Sequence, residues 1–136
     1  MAKREWQNID CLTYLFNAFA VYTDADLSED EKRVIANETK KYVEEEDNAF
    51  DSLNKTLGWF KADLGKDLDE ETFGTKESVV LKEFFGISLY LKDTFDTSMC
   101  QSIHDDLVRI GKADGHYDEH EQFWAKTFAD LTGCNH

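Results

Sequence analysis

The stretch ADGHYDEHE, from Ala113 to Glu121, carries residue types suited to two different chemistries. From His116 onward, the pattern His116-x-x-Glu119-His120 offers two imidazoles and a carboxylate, the components of a hydrolytic zinc centre. From Ala113 onward, the same residues form an acidic turn in which Asp114, Asp118 and Glu121 supply hard oxygen donors for a divalent cation. His116 and His120 are secondary candidates as ligands, with Zn2+ the metal they would favour.

The zinc-protease version of this pattern needs both histidines and the glutamate on one continuous helix. Here Gly115 precedes His116, and Asp118 suits the N-cap of the following helix, so His116 falls before that helix starts. A further zinc ligand must come from elsewhere, yet only sixteen residues follow His120. No catalytic residue and no enzymatic activity are expected.

The acidic turn has a counterpart ninety residues earlier. Asp24-Ala25-Asp26-Leu27-Ser28-Glu29-Asp30-Glu31 lies over Asp114-Gly115-His116-Tyr117-Asp118-Glu119-His120-Glu121, with Asp24/Asp114, Glu29/Glu119 and Glu31/Glu121 identical. Ser28 and Asp118 both suit an N-cap, and Ser28-x-x-Glu31 is a capping box. Acidic residues number 29 of 136, so eight residues should hold about two. The first loop holds five; the second holds four and two histidines. Glu31 and Glu121 complement a helix dipole in the first turn. Asp24 and Asp114 instead follow a helix C-terminus, where a negative charge is unfavourable unless a cation reverses its sign. Neither loop is an EF-hand, because Ile35 and Ala125 stand where the bidentate carboxylate belongs.

Elements to hold these loops are legible as helices. The chain has no proline and seven glycines, and its apolar residues recur at helical spacing. A helix is expected over 6–22, with Leu12, Leu15, Phe16, Phe19 and Tyr22 on its apolar face. The next opens at Ser28 and runs through Val34, Ile35, Tyr42 and Val43. A third covers 48–57, with Phe50, Leu53 and Leu57 inward and Gly58 placed to end it. A loop with a short helix is expected over 59–74. Thr75 opens a helix through Val80, Phe84, Ile87 and Leu91. Asp96 or Thr97 caps another, with Met99, Ile103, Leu107 and Ile110 inward. The last starts at Glu119 and carries Phe123, Trp124, Phe128 and Leu131. The expected fold is all-α, one domain over 1–136, a bundle of six or seven helices with two acidic helix–loop–helix units in weak internal repeat.

At −14, the net charge disfavours contact with a phosphate backbone, so no nucleic-acid partner is expected. MAKREWQNID lacks the apolar core of a signal peptide, and no run reaches transmembrane length. Cys11, Cys100 and Cys134 show no C-x-x-C spacing and suit reduced thiols. A cytoplasmic location without direct membrane insertion is the expectation.

The motif A-D-G-x-x-x-x-x-E, read here as Ala113-Asp114-Gly115 with Glu121 and followed by Phe123, Trp124 and Phe128, resembles that of the tellurite-resistance TerB-like family. Asp24 to Glu31 resembles the family's other copy, with Thr23 and Ala25 in place of its Ala and Gly. The resemblance implies an all-helical domain whose acidic loops are brought close by approximate two-fold symmetry. It also implies binding of a divalent cation, calcium first, and a non-enzymatic role in bacterial stress responses, in some members with membrane-bound partners. The matched positions are Asp24 and Glu31, and Asp114 and Glu121. With the neighbouring acids, the expected metal ligands are Asp24, Asp26, Glu31, Asp114, Asp118 and Glu121. The alternative is an acidic helical module that docks a basic protein partner without metal.

The other polar and aromatic residues have ordinary expectations. Cys11 and Cys100 lie at or beside apolar helix faces and suit the core. His104 is one polar position on a mixed helix, and Glu44-Glu45-Glu46-Asp47 suits a solvated face. Most aromatic residues belong to the core. Trp59 and Phe60, in the irregular segment, are the expected exception as exposed contacts for a partner.

Overall fold

A computed structural model describes residues 4, 6–21, 29–42, 49–73, 75–113 and 119–134. Within them lie six helices and no strand: α1 (Asn8–Val21), α2 (Glu29–Lys40), α3 (Ala49–Asp69), α4 (Val79–Thr94), α5 (Thr97–Ala113) and α6 (Glu119–Thr132). The all-α bundle expected from the apolar periodicity is therefore present.

Helix α1 is the axis of the bundle and packs against α2, α3, α4 and α5. Every residue from Ile9 to Ala20 is buried, including Asp10, Thr13 and Asn17. This differs from the amphipathic helix its sequence suggests. Polar positions at i, i+3 and i+7 do form a stripe, but the stripe faces α3 rather than water. Ser52 Oγ donates to Asp10 Oδ1 at 2.7 Å, and Thr56 Oγ1 donates to Thr13 Oγ1 at 2.9 Å. Asn17 Nδ2 donates to the Leu53 carbonyl and to Thr56 Oγ1, both at 3.0 Å. Buried polar groups are tolerated when paired in this way.

Helix α3 runs through Gly58 and Gly65, where a helix end and a loop were expected. Its inward residues, Ser52, Leu53, Thr56, Leu57, Phe60, Asp63 and Asp67, keep helical spacing across both glycines. A glycine ends a helix by adopting positive φ, and neither does so; Gly133 and Glu71 are the described residues with that conformation. The end of α3 falls at Glu71 (φ 56°), where Thr72 N–H reaches the Asp67 carbonyl at 2.9 Å and Glu71 N–H reaches that of Leu68 at 3.3 Å. This is a Schellman closure built without glycine. Phe60 is consequently buried, and Trp59 packs on the core beside Trp6 with ring centroids 4.7 Å apart. Neither is the exposed contact expected of them.

Smaller departures have local causes. Helix α4 starts at Val79 rather than Thr75, because Ser78 is its N-cap and accepts from Leu81 N–H at 3.2 Å. Asp96 caps α5 by accepting from Met99 N–H at 2.8 Å. Val34, in α2 as expected, is 56% exposed, and Phe123, at 54%, departs from the core expected of most aromatic residues. Ile35, Val80, Phe84, Ile87, Leu91, Ile103, Leu107, Ile110, Trp124 and Phe128 are buried as their spacing predicts. Tyr42 follows α2 in a turn. Tyr22, Val43 and the run Glu44 to Asp47 lie outside the described residues.

Candidate functional site

Asp24, Asp26, Asp114, His116 and Asp118 lie outside the described residues. Glu31, His120 and Glu121 are described in backbone only: Glu31 is the third residue of α2, His120 and Glu121 the second and third of α6. The two glutamates thus hold equivalent places in the first turn of their helices, where backbone N–H groups and the dipole favour a carboxylate.

Packing brings together the helices that carry the two loops. The ring of Phe19, two residues before the end of α1, lies 6.1 Å from that of Trp124 in the second turn of α6, edge to face. Phe84 lies 5.8 Å from the same indole and 6.4 Å from Phe19. At the opposite end of α1, the Tyr90 hydroxyl from α4 donates to Asn8 Oδ1. The C-terminal end of α1 and the N-terminal part of α6 therefore share one end of the bundle.

The buried aspartates Asp10, Asp63, Asp67 and Asp106 are engaged elsewhere. Arg4 grips Asp63 with two guanidinium N–H bonds, both 2.9 Å, and the Tyr14 hydroxyl donates to Asp63 Oδ2 at 2.8 Å. Burial first, and the Asp63 charge second, push the Tyr14 hydroxyl well above the ordinary tyrosine range. Asp10 accepts from Gln7 N–H, Ser52 Oγ and Lys55 Nζ. Asp106 accepts from the Tyr42 hydroxyl, Lys41 and Arg109, and both cations also reach Glu38.

Asp67 accepts from Ser78 Oγ (2.6 Å), Val79 N–H (2.7 Å), Val80 N–H (3.1 Å) and Thr72 Oγ1 (3.2 Å). Burial alone would raise its pKa, but those four donors together hold it below the ordinary aspartate value. Each of these acids is a structural clamp between elements. Among the described residues no group of three His, Cys, Asp or Glu side chains is placed to hold a metal.

These clamps escaped the sequence reading because their partners lie far apart along the chain: Asp10 to Ser52, Tyr14 to Asp63, Tyr42 to Asp106. A signal existed for the first of them. Asp10, Thr13 and Asn17 interrupt an otherwise apolar helix at i, i+3 and i+7, the mark of a polar seam against a neighbour. His104 is buried, with Nδ1 3.2 Å from Asp105 Oδ1. Cys11 and Cys100 are buried as expected, and burial pushes their thiols up to about 12 and about 11. Among the described residues no helix is long and apolar enough to cross a membrane. No protein-family model, no curated protein and no solved structure matches this chain.

Proposed function

We propose that this chain is a non-enzymatic, TerB-like protein that binds a divalent cation through its two acidic loops, with Ca2+ as the preferred ion. The contact of Phe19 with Trp124 is the observation that carries the reading, because it draws the end of α1 and the start of α6 to one end of the bundle. The donor chemistry fits as well. Asp24, Asp26, Glu31, Asp114, Asp118 and Glu121 offer the hard oxygens Ca2+ takes, while His116 and His120 suit Zn2+ as a secondary ion. The ion would offset the repulsion among these acids and tie the loops together; it carries out no reaction. A bacterial stress-response role, tellurite resistance included, accompanies this proposal, as does a partner at the membrane.

Calorimetric titration of metal-free protein with Ca2+ and with Zn2+ tests it. Ca2+ binding is expected, with a rise in melting temperature that Asp114→Asn combined with Glu121→Gln largely removes. Melting curves unmoved by millimolar Ca2+, Mg2+ and Zn2+ would overturn it.

The second reading, an acidic module docking a basic partner, is favoured by Phe123. That ring is exposed on α6, four residues beyond Glu119, and the chain bears a net charge of −14. It predicts salt-sensitive association that chelator leaves unchanged.

A further inference from the structure

Gly86 sits inside α4, where a glycine costs about 0.5–1 kcal/mol relative to alanine. No positive φ calls for it, and a Cβ at this position would meet no atom within 4 Å. The absent side chain instead faces a cleft of about 280 Å3 lined by Trp6, Cys11, Lys82, Glu83, Ile87 and Tyr90 together with Gly86. Two aromatic walls are held in place from behind. Trp6 packs on Trp59 and, at 5.5 Å, on Tyr14, while the Tyr90 hydroxyl is bonded to Asn8. Cys11 and Ile87 make an apolar, buried base.

Glu83 is the feature without a structural explanation. It is half-buried and, unlike Asp10, Asp63, Asp67 and Asp106, has no hydrogen bond or ion pair with any described residue. Burial first, then the Asp63 charge, raises its pKa; Arg4 lowers it less, its guanidinium being engaged with Asp63. A carboxylate with no bonded partner among the described residues, on a cleft it shares with two aromatic rings, matches a cation with a hydrocarbon body. Trp59, next door, already shows this pairing: Arg4 and Lys55 each place their charge 5.3 Å from its ring centroid. A hard metal ion fits poorly, because one carboxylate among apolar walls does not replace its hydration shell.

We propose that the cleft between the start of α1 and the middle of α4 binds a small organic ammonium ion. Its hydrocarbon body lies against Trp6, Ile87 and Tyr90, and its nitrogen pairs with the Glu83 carboxylate. Lys82 stands exposed at the rim, and its long stem lets the ammonium group turn into water. It weakens the attraction without filling the space.

The test uses phenethylammonium as probe, titrated into the full chain while the indole N–H resonance of Trp6 is followed by NMR, identified with Trp6→Phe. A saturable shift with a dissociation constant of about 0.1–10 mM is expected for a ligand this small. Phenylacetate, with the same body and opposite charge, should give none, and neutral 2-phenylethanol should bind about tenfold more weakly. Glu83→Gln should weaken binding about tenfold. Gly86→Leu should abolish it while leaving the thermal melt as high as before, and Lys82→Ala should bind at least as tightly. No saturable shift up to about 20 mM overturns the site. Equal binding of the alcohol, binding of phenylacetate, or an undiminished Glu83→Gln overturns the ammonium assignment.

Discussion

Ser78 Oγ donates to the Asp67 carboxylate at 2.6 Å, joining the last turn of α3 to the N-cap of α4. The same carboxylate takes the first two N–H groups of α4, from Val79 and Val80. One side chain thus does for α4 what a local capping box does elsewhere, but from eleven to thirteen residues away.

Asp67→Ala leaves Ser78 and the start of α4 without their acceptor and should cost about 2–4 kcal/mol, read as a lower urea midpoint. The pH dependence follows from a depressed folded-state pKa. Stability from the ionised Asp67 is present above its ordinary value of 3.8 and is lost as pH falls through the folded value. The gap between wild type and Asp67→Asn should therefore shrink in acid below pH 3.8. A gap that widens in acid would contradict this.

Tyr14→Phe removes one of the donors on buried Asp63 and should cost about 1–3 kcal/mol. Because the Tyr14 pKa is raised on folding, unfolded tyrosine ionises first once pH passes its ordinary value of 10.0. Stability is then lost with rising pH. Urea midpoints of the wild type should fall above pH 10 more steeply than those of Tyr14→Phe.

The glycines and the helix end of α3 make a paired prediction. Gly58 is exposed inside α3, with open space where a Cβ would stand, so Gly58→Ala should stabilise by about 0.5–1 kcal/mol. Glu71 holds the left-handed conformation that closes the helix, so Glu71→Gly should stabilise by about 1 kcal/mol. Calorimetric melts check both. A lowered melting temperature in Gly58→Ala would mean that α3 is broken there.

Thiol reactivity separates the cysteines. At pH 8, pKa values of about 12 and about 11 leave only about one thiolate in 10⁴ for Cys11 and one in 10³ for Cys100. Both are also buried, whereas Cys134 is partly exposed. A disulfide reagent should modify one thiol quickly in the native protein, mapped by peptide mass to Cys134, and the other two on unfolding.

Helical periodicity is a local property, and it was readable residue by residue. Val80, Phe84, Ile87 and Leu91, then Ile103, Leu107 and Ile110, announce their buried faces because 3.6 residues per turn places them on one side whatever they meet. The first-turn places of Glu31 and Glu121 were legible from equally local signals, the N-terminal signatures of α2 and α6.

Features that depend on a distant neighbour were not. Asp10, Thr13 and Asn17 look like a solvent-facing stripe until α3 brings Ser52 and Thr56 against them. Gly58 looks like a stop until the packing of Leu57 and Phe60 outweighs the small cost of a glycine inside a helix. Glu71, with nothing in its type to mark it, becomes the stop instead, because Asp67 must sit where α4 begins. Spacing along a chain says which residues share a face. Which face meets which is decided by long-range burial and hydrogen bonding, and that is where Phe19 found Trp124 and Glu83 was left without a partner among the described residues.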